Sequence, residues 1–469
     1  MSDLPLPLGK SNPSDLVAFG RGGHVTAREL LGGARAVASA LPKPDDDDQV
    51  IVLCRDRLAF AAALFGAWEA GFGVALPPNA QPETVKAIRH RPEVATVLHD
   101  GEGPKGIDVR GILDVAPHDE DPLCPIAPER HIATVFTSGS TGEHRACPKT
   151  GAQLLGEVAT LLRAFPDAEG ARFLSIVPAH HIYGLLFGVL MPTCGGGAFH
   201  RDGPRDVEGL ASALSEGVQV LVSVPAHLRS LRFVEEGLLP KVDRVFSSGA
   251  PLPADTAKDL EKRAGWTITE VLGSTETGGI AWRERSGAPA APWQPFPGVT
   301  VDAGDGELML LESPLLSKDL PQPYIGGDRV RPLPDGRFEH LGRADGVLKI
   351  GSTRVSVAEL AARLAEIDGV NDAAVLPVEV GGARGVETWA ALVAPGLDAK
   401  TIRKALRKWL APVVIPRRFR FVEALPRQEN GKLRREDLLA LFETPMEDDR
   451  EGVTSPGMLT APERSGGDA

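Results

Sequence analysis

Phe136-Thr137-Ser138-Gly139-Ser140-Thr141-Gly142, followed by Glu143 to Cys147 and then Pro148-Lys149-Thr150, is the stretch on which the reading of this chain turns. The apolar run leading into it, from Ile132 to Phe136, reads as a buried strand. The loop then sets hydroxyls between glycines. Glycine lets backbone N–H groups turn inward, Ser and Thr add hydroxyl donors, and Lys149 adds a point positive charge. A bound polyphosphate needs that combination of many donors, little bulk and a cation. The stretch is not the P-loop G-x-x-x-x-G-K-[ST], because Pro148 stands where the last glycine belongs. Taken alone, a flexible Ser/Gly turn explains it equally well. The rest of the chain decides between the two.

At 469 residues the chain exceeds the usual size of one domain, so two or more are expected. The apolar fraction of 42% supplies a large core, and the 52 Gly and 40 Pro read as many tight loops. The net charge is 51 − 63 = −12, which argues against a nucleic-acid binder relying on a broad basic surface. Any anionic substrate is then held by local donors. Cys54, Cys124, Cys147 and Cys194 show no C-x-x-C spacing and read as reduced cysteines of a cytoplasmic protein, with no zinc site or disulfide frame. Met1 to Pro5 carries no basic-then-apolar signal pattern. No apolar stretch approaches the roughly 20 residues that span a bilayer.

In chain order, residues up to about Ser14 read as a loose leader. Val25 to Leu41 and Leu58 to Ala70 read as helices, and Val50 to Leu53, Val74 to Leu76 and Thr96 to Leu98 as strands. This alternation predicts a layered α/β domain. An acidic, Pro-rich linker, His118 to Glu129, precedes the hydroxyl-rich loop. Beyond it come a helix over Ala152 to Phe165, a strand over Phe173 to Val177 that runs into Pro178-Ala179-His180-His181-Ile182-Tyr183-Gly184, and an apolar helix from Leu185 to Leu190. Strand-like Val218 to Val222 is followed by a helix opening at Pro225. Val245 to Ser247 ends in Ser248-Gly249-Ala250-Pro251, and Ile268 to Leu272 ends in Gly273-Ser274-Thr275-Glu276-Thr277-Gly278-Gly279. Ligands of α/β sheets sit at the carboxyl ends of strands, so these small-residue loops predict one shared site.

From Pro292 to Leu341, short alternating segments separated by Gly/Asp turns predict a small antiparallel β subdomain that carries Gly327-Asp328. Gly342-Arg343-Ala344-Asp345-Gly346 then opens a smaller α+β unit. Its helices are read over Val357 to Glu366 and Lys400 to Leu410, and its strands over Asp372 to Leu376 and Glu387 to Val393. It closes with Leu425-Pro426-Arg427-Gln428-Glu429-Asn430-Gly431-Lys432. The predicted organisation is an α/β large N-terminal domain over 15–343, with its small β subdomain, and a mobile α+β C-terminal domain over 346–442. A disordered tail is expected over 443–469.

Seven motifs in this order, TSGSTG…PK, PAHHIYG, SSGAPLP, GSTE, GD, GRADGVLKI and LPRQENGK, resemble the adenylate-forming superfamily across roughly residues 25–440. That superfamily includes acyl- and aryl-CoA synthetases, peptide-synthetase adenylation domains and luciferases. Within it, Leu76 to Asn79 and Gly273 to Arg283 look most like short ligases of aryl-polyene and xanthomonadin-type pigment clusters. The resemblance implies a two-step reaction. A carboxylic acid attacks the α-phosphate of Mg·ATP to give an acyl-adenylate and pyrophosphate, and a thiol of CoA or of a carrier-protein phosphopantetheine takes the acyl group. Positioning and charge stabilisation carry most of phosphoryl transfer, so donor loops and a few cations suffice.

By the same resemblance, Thr137, Ser138, Gly139, Ser140, Thr141 and Gly142 wrap the β- and γ-phosphates, with Lys149 assisting. Thr275 touches the α-phosphate and Glu276 holds Mg²⁺, a hard cation that prefers oxygen ligands. Gly249, Ala250 and Pro251 line the adenine, Asp328 takes the ribose hydroxyls with Arg343 nearby, and Lys432 reaches the carboxylate and the bridging ribose oxygen. His181 gates the acyl pocket or packs at a helix start. Asp345 stands at the hinge between half-reactions.

The sequence departs from the family pattern in places. Leu272 stands where an aromatic stacks on adenine, which removes π-stacking. The extra residues Glu143 to Cys147 displace Lys149, and the glycine of Lys349-Ile350-Gly351-Ser352-Thr353-Arg354-Val355 is shifted by one. Small residues at Ala226, Ser248 and Gly273 leave room for a ring and favour an aryl or planar unsaturated acid. Two other readings stay open: transfer to a non-thiol acceptor, and a quiet relative that binds acyl groups or nucleotides as a scaffold. Asp328 also reads as a β-turn residue, and Lys432 as the flank of a hairpin. The sequence leaves the acid, the thiol and the oligomeric state unassigned.

Overall fold

The computed structural model describes residues 4–443 except 46, 81, 102–104, 139–143, 205, 232–233, 235–236, 286–290, 318, 344–346, 351–352, 380–385, 408–414 and 429–430. Two sheets and the helices between them make the large domain. One runs Ile107–Asp108, Val94–His99, Gln49–Leu53, Gly73–Leu76, His131–Ser138, His144–Thr150 in spatial order, parallel except for the last pair. The other has nine strands. Its centre is Ile268–Ser274, Arg244–Ser247, Val220–Ser223, Arg172–Ser175, Ala198–His200 and Leu16–Phe19, all parallel neighbours.

The helix Arg57–Glu69 shows why the layers hold. Its sequence is apolar on every side, and Leu58 to Trp68 are all buried, as befits a helix enclosed by protein. Phe60, Leu64 and Phe65 are fully buried, each stabilising by roughly 1.5–3 kcal/mol. Asp56 caps it by accepting from the Leu58 and Ala59 N–H groups at 2.8 and 3.0 Å. At its start the buried Arg57 guanidinium donates to the carbonyls of Ser175, Val177 and His200, each at 3.0 Å, and so ties this helix to strand ends of the nine-stranded sheet. Burial pulls the Arg57 pKa down to about 10, so it stays charged near neutrality.

The apolar helix expected from Leu185 to Leu190 is longer than that. Residues 182–194 form one continuous helix with a wide π turn at Leu186–Leu190. Pro192 has no N–H to return to the Gly188 carbonyl, which accommodates the wide turn. The leader expected up to Ser14 is instead tied down. Leu8 is buried and its N–H donates to the Thr193 carbonyl at 2.8 Å, while Lys10 pairs with Glu169 at 2.9 Å.

Strands Thr300–Ala303, Leu308–Glu312, Tyr324–Pro332 and Phe338–Arg343 form the small antiparallel sheet anticipated from the alternating pattern. In the C-terminal unit, Asp372–Glu379, Val386–Val393 and Arg418–Phe421 form a sheet. Its alternate residues face opposite ways: Ala373 and Val375 pack on helices Val357–Ala365 and Ala399–Leu406, while Ala374 and Leu376 pack toward helix Arg435–Glu443. The expected tail beyond Glu443 and the hinge Asp345 lie outside the described residues. Among the described residues no helix is long and apolar enough to cross a membrane.

Candidate active site

The parallel register places the loops. Val222 is opposite Ser175, Ser223 opposite Ser247, and Ser247 opposite Glu270. The segments that follow these strands, residues 178–183, 224–226, 248–251 and 273–276, therefore leave the sheet along one edge. The loops expected to share a site at 178–184, 248–251 and 273–279 are thus neighbours. Gly139 to Gly142 of the hydroxyl-rich loop lie outside the described residues, and Ser138 is described in its backbone only. Thr137 stands at that loop's base, opposite Arg145.

The loop after strand Ile268–Ser274 is locked by its own hydroxyls. The Ser274 N–H donates to Thr277 Oγ1 at 3.1 Å and the Thr277 N–H to Ser274 Oγ at 3.2 Å. The Ser317 N–H donates to the Glu276 carbonyl at 3.1 Å. Thr275 is buried, whereas the Glu276 side chain is half open. The backbone is fixed and the carboxylate is left to point outward. Glu276 also bears on Cys147, whose thiol is pushed up first by burial and then by that carboxylate. Glu276 therefore sits close to the hairpin that carries Thr137.

Lys149 lies in strand His144–Thr150, opposite Ala133 of strand His131–Ser138 and five residues beyond His144, a span of roughly 16 Å at about 3.3 Å per residue. It is 1% exposed, and Nζ donates to the Leu315 carbonyl at 3.3 Å. Burial pulls its pKa down, opposed by the charge of Glu157. Glu157 is buried in helix Gly151–Ala164 and accepts from the Gly279 N–H at 2.6 Å. Burial pushes its carboxyl up, and Lys149 and the Gly279 N–H hold it back. Gln153 donates to the Leu316 carbonyl at 2.5 Å. Lys149, Gln153 and Glu157 thus form a buried polar layer beneath the Thr275–Glu276 loop.

Gly249, Ala250 and Pro251 are exposed. Gly249 has a φ of +89°, a left-handed conformation that glycine adopts freely. Ser248 Oγ donates to the Val271 carbonyl at 2.8 Å. The Leu252 N–H donates to Glu270 Oε1 at 2.8 Å, and the buried Glu270 also takes Arg283 at 2.7 Å and Arg285 at 3.1 Å. Leu272 is half-buried at an irregularity in the pairing with Gly278–Arg285. Asp328 lies in strand Tyr324–Pro332, not in a turn, directly opposite Arg343. Its Oδ1 is 3.1 Å from His340 Nε2. The Arg343 side chain lies outside what is described.

Lys432 is presented by a tight hairpin. The Gly431 N–H donates to the Gln428 carbonyl at 2.8 Å and the Gln428 N–H to the Lys432 carbonyl at 2.8 Å. Gly431 has a φ of +79°, and a Cβ there would sit 3.4 Å from Val224 Cγ2. Gly431 therefore lies close to Val224, where the strand loops emerge. His181 opens the helix at Ile182, and its ring centroid is 4.4 Å from that of His180. Burial holds its pKa well below the usual histidine range, with further depression from His180 and Lys432. The hairpin flank expected at Lys432 is present.

Sequence reasoning missed Glu157, Glu270 and His340. Glu157 left a signal: it interrupts the apolar stripe formed by Leu154, Val158 and Leu161. A charge on a core-facing stripe asks for a buried partner. Glu270 left only strand alternation, and His340 only its nearness to Gly342-Arg343.

The profile of the family described as AMP-binding enzyme matches residues 9–309, and that of the AMP-binding enzyme C-terminal domain matches 359–432. A 4-coumarate–CoA ligase of Rhodobacter capsulatus is 32% identical over 309 residues, covering 64% of this chain and 74% of the relative. Phosphinothricin tripeptide synthetase PhsC of Streptomyces viridochromogenes is 31% identical over 389 residues, covering 74% of this chain and 34% of that synthetase. The solved structure of O-succinylbenzoate coenzyme A synthetase from Bacillus subtilis with ATP and magnesium superposes with a TM-score of 0.79 at 18% identity, covering 91% of this chain and 97% of that one.

Proposed function

The chain belongs to the AMP-binding enzyme family, and from that premise we propose that this acid–thiol ligase activates an aromatic or planar unsaturated carboxylic acid and passes it to CoA. The observation that carries the reading is the convergence of the Thr275–Glu276 loop, the Gly249–Pro251 loop and the Lys432 hairpin on one sheet edge. The aryl preference rests on the small residues Ala226, Ser248 and Gly273 and on the likeness to a 4-coumarate–CoA ligase. The likeness to a tripeptide synthetase favours a second reading, in which a carrier-protein phosphopantetheine is the acceptor. The four free cysteines support a cytoplasmic setting.

In this reading the acid's carboxylate oxygen attacks the α-phosphorus of ATP and pyrophosphate leaves. The thiol then attacks the acyl carbon of the adenylate and AMP leaves. Thr137, Ser138 and Gly139 to Gly142 receive the outer phosphates, and Thr275 the α-phosphate. Gly249, Ala250, Pro251 and Leu272 cover the adenine. Asp328, steadied by His340, takes the ribose hydroxyls beside Arg343. Lys432 places a cation where charge builds during attack. His181, held neutral by burial, lines the acyl side without adding charge near the incoming carboxylate. Glu276 suits Mg²⁺ because its carboxylate is half open on a pinned backbone. Bound there, Mg²⁺ would neutralise phosphate charge, with phosphates and water completing its shell.

The test is acid-dependent pyrophosphate release from ATP with benzoates, hydroxybenzoates, cinnamates, 4-coumarate and fatty acids, each without acceptor, with CoA and with holo-carrier protein. Aromatic or cinnamic acids should stimulate release, and CoA should raise turnover. Silence across the panel with ATP still bound would sink the ligase reading in favour of a quiet scaffold.

A further inference from the structure

We propose that Arg229 and Asp372 are positioning residues that seat the Lys432 hairpin for the first half-reaction, a reading that rests on Lys432 being the adenylation lysine. Arg229 belongs to the large domain, on helix Pro225–Ser230, which directly follows the central strand Val220–Ser223. Asp372 belongs to the C-terminal unit, as the first residue of strand Asp372–Glu379. Arg229 Nη1 donates to Asp372 Oδ1 at 3.0 Å and to the Asn371 carbonyl at 3.3 Å. Arg427 grips the same carboxylate with two donors, Nε to Oδ2 and Nη2 to Oδ1, both at 2.7 Å. The third donor of Arg427, Nη1, reaches the Gly431 carbonyl at 2.9 Å, one residue before Lys432. A continuous chain of charge-assisted bonds thus runs from the large domain to the lysine's own peptide.

The surroundings make this chain effective. The side chains of Arg229, Asp372 and Arg427 are 13%, 19% and 23% exposed, so water screens them only in part. They rim a cavity of about 290 Å³ between helix Pro225–Ser230 and the C-terminal unit. The Arg427–Asp372 pair lies wholly within that unit and travels with it. Arg229 is the member that ties this pair to the large domain. In the reading above Lys432 acts while the adenylate forms, so a bond that seats its hairpin bears on that half-reaction. An interaction that stabilises only that transition state accelerates only that step.

The test uses the full chain. First-step rates are read by pyrophosphate–ATP exchange with 4-coumarate, and second-step rates from synthetic 4-coumaroyl adenylate with CoA. Arg229→Ala should lower the first by about 10- to 100-fold, the scale of charge-assisted hydrogen bonds, and leave the second unchanged. Arg229→Lys should recover part of the loss. Should Arg229→Ala fail to fold, Arg229→Gln, which keeps the bulk and removes the charge, carries the same expectation. Hydrogen exchange needs no acid: the Gln428 and Gly431 amides should exchange faster in Arg229→Ala than in the parent. Equal loss in both steps, or unchanged exchange at those amides, overturns the proposal. Lys432→Ala separates the two levels. If it abolishes exchange while Arg229→Ala does not, only the positioning role falls; if it leaves adenylation intact, the lysine assignment falls first and the proposal with it.

Discussion

Lys432 carries the adenylation proposal at the scale of single residues. It is exposed at a hairpin tip and contributes no core packing, so its replacement tests chemistry apart from folding. Lys432→Ala should slow adenylate formation by about 100- to 1000-fold, the range found when one donor to a developing charge is removed. The thermal unfolding midpoint should stay where it is. Unchanged pyrophosphate exchange would remove the assignment. Leu272 offers the converse test, a gain. It is half-buried beside the loop proposed to cover adenine, and leucine covers a base without stacking on it. Leu272→Tyr should tighten ATP binding by up to about tenfold, in line with the 0.5–1.5 kcal/mol of an aromatic pair. Titration calorimetry reads this directly, and no gain would place adenine elsewhere.

Among elements, the hairpin of His131–Ser138 and His144–Thr150 holds the lesson about what a sequence reveals. The apolar run identified its first strand, because that signal is local. Spacing alone does not say what surrounds Lys149, since residue numbers carry no direction; only the antiparallel pairing sets it opposite Ala133, in a buried position. Local alternation likewise disclosed the parallel strands, the small β subdomain and the C-terminal α+β unit. The Lys149–Glu157 layer, the Glu270–Arg283–Arg285 cluster and the Arg229–Asp372 bond join segments distant in sequence, and one chain does not display such pairings. The buried layer yields its own prediction. Lys149→Met removes the positive charge that holds the buried Glu157 carboxyl down and should cost about 0.5–3 kcal/mol of stability. The double variant Lys149→Met/Glu157→Leu should regain much of that. Denaturant unfolding checks both, and a stable Lys149→Met with a raised KM for ATP would return Lys149 to the phosphate site.

The whole molecule couples its site to its acid stability through buried histidines. His131 and His181 are each drawn below their ordinary pKa, first of all by burial. Unfolded, each takes a proton near pH 6.5. Below that pH the unfolded chain binds protons that the native one refuses, so stability rises with pH there and is lost as pH falls. The stability tied to these neutral histidines is fully present above about pH 6.5 and declines from there toward their folded values. His181 is the most depressed in kind, because His180 and Lys432 add positive charge to its burial. His181→Gln should therefore be less sensitive to acid than the parent when urea midpoints at pH 7.5 and 5.5 are compared. Glu157, whose carboxyl burial pushes up, pulls the opposite way, but it is common to both proteins and cancels in the difference. Replacing Lys432 by Ala should ease the same acid sensitivity, since it withdraws one of the charges facing His181. Acid sensitivity that is identical in all three proteins would mean that the lysine hairpin and His181 do not face each other in solution, and with that the site described here would lose its closing side.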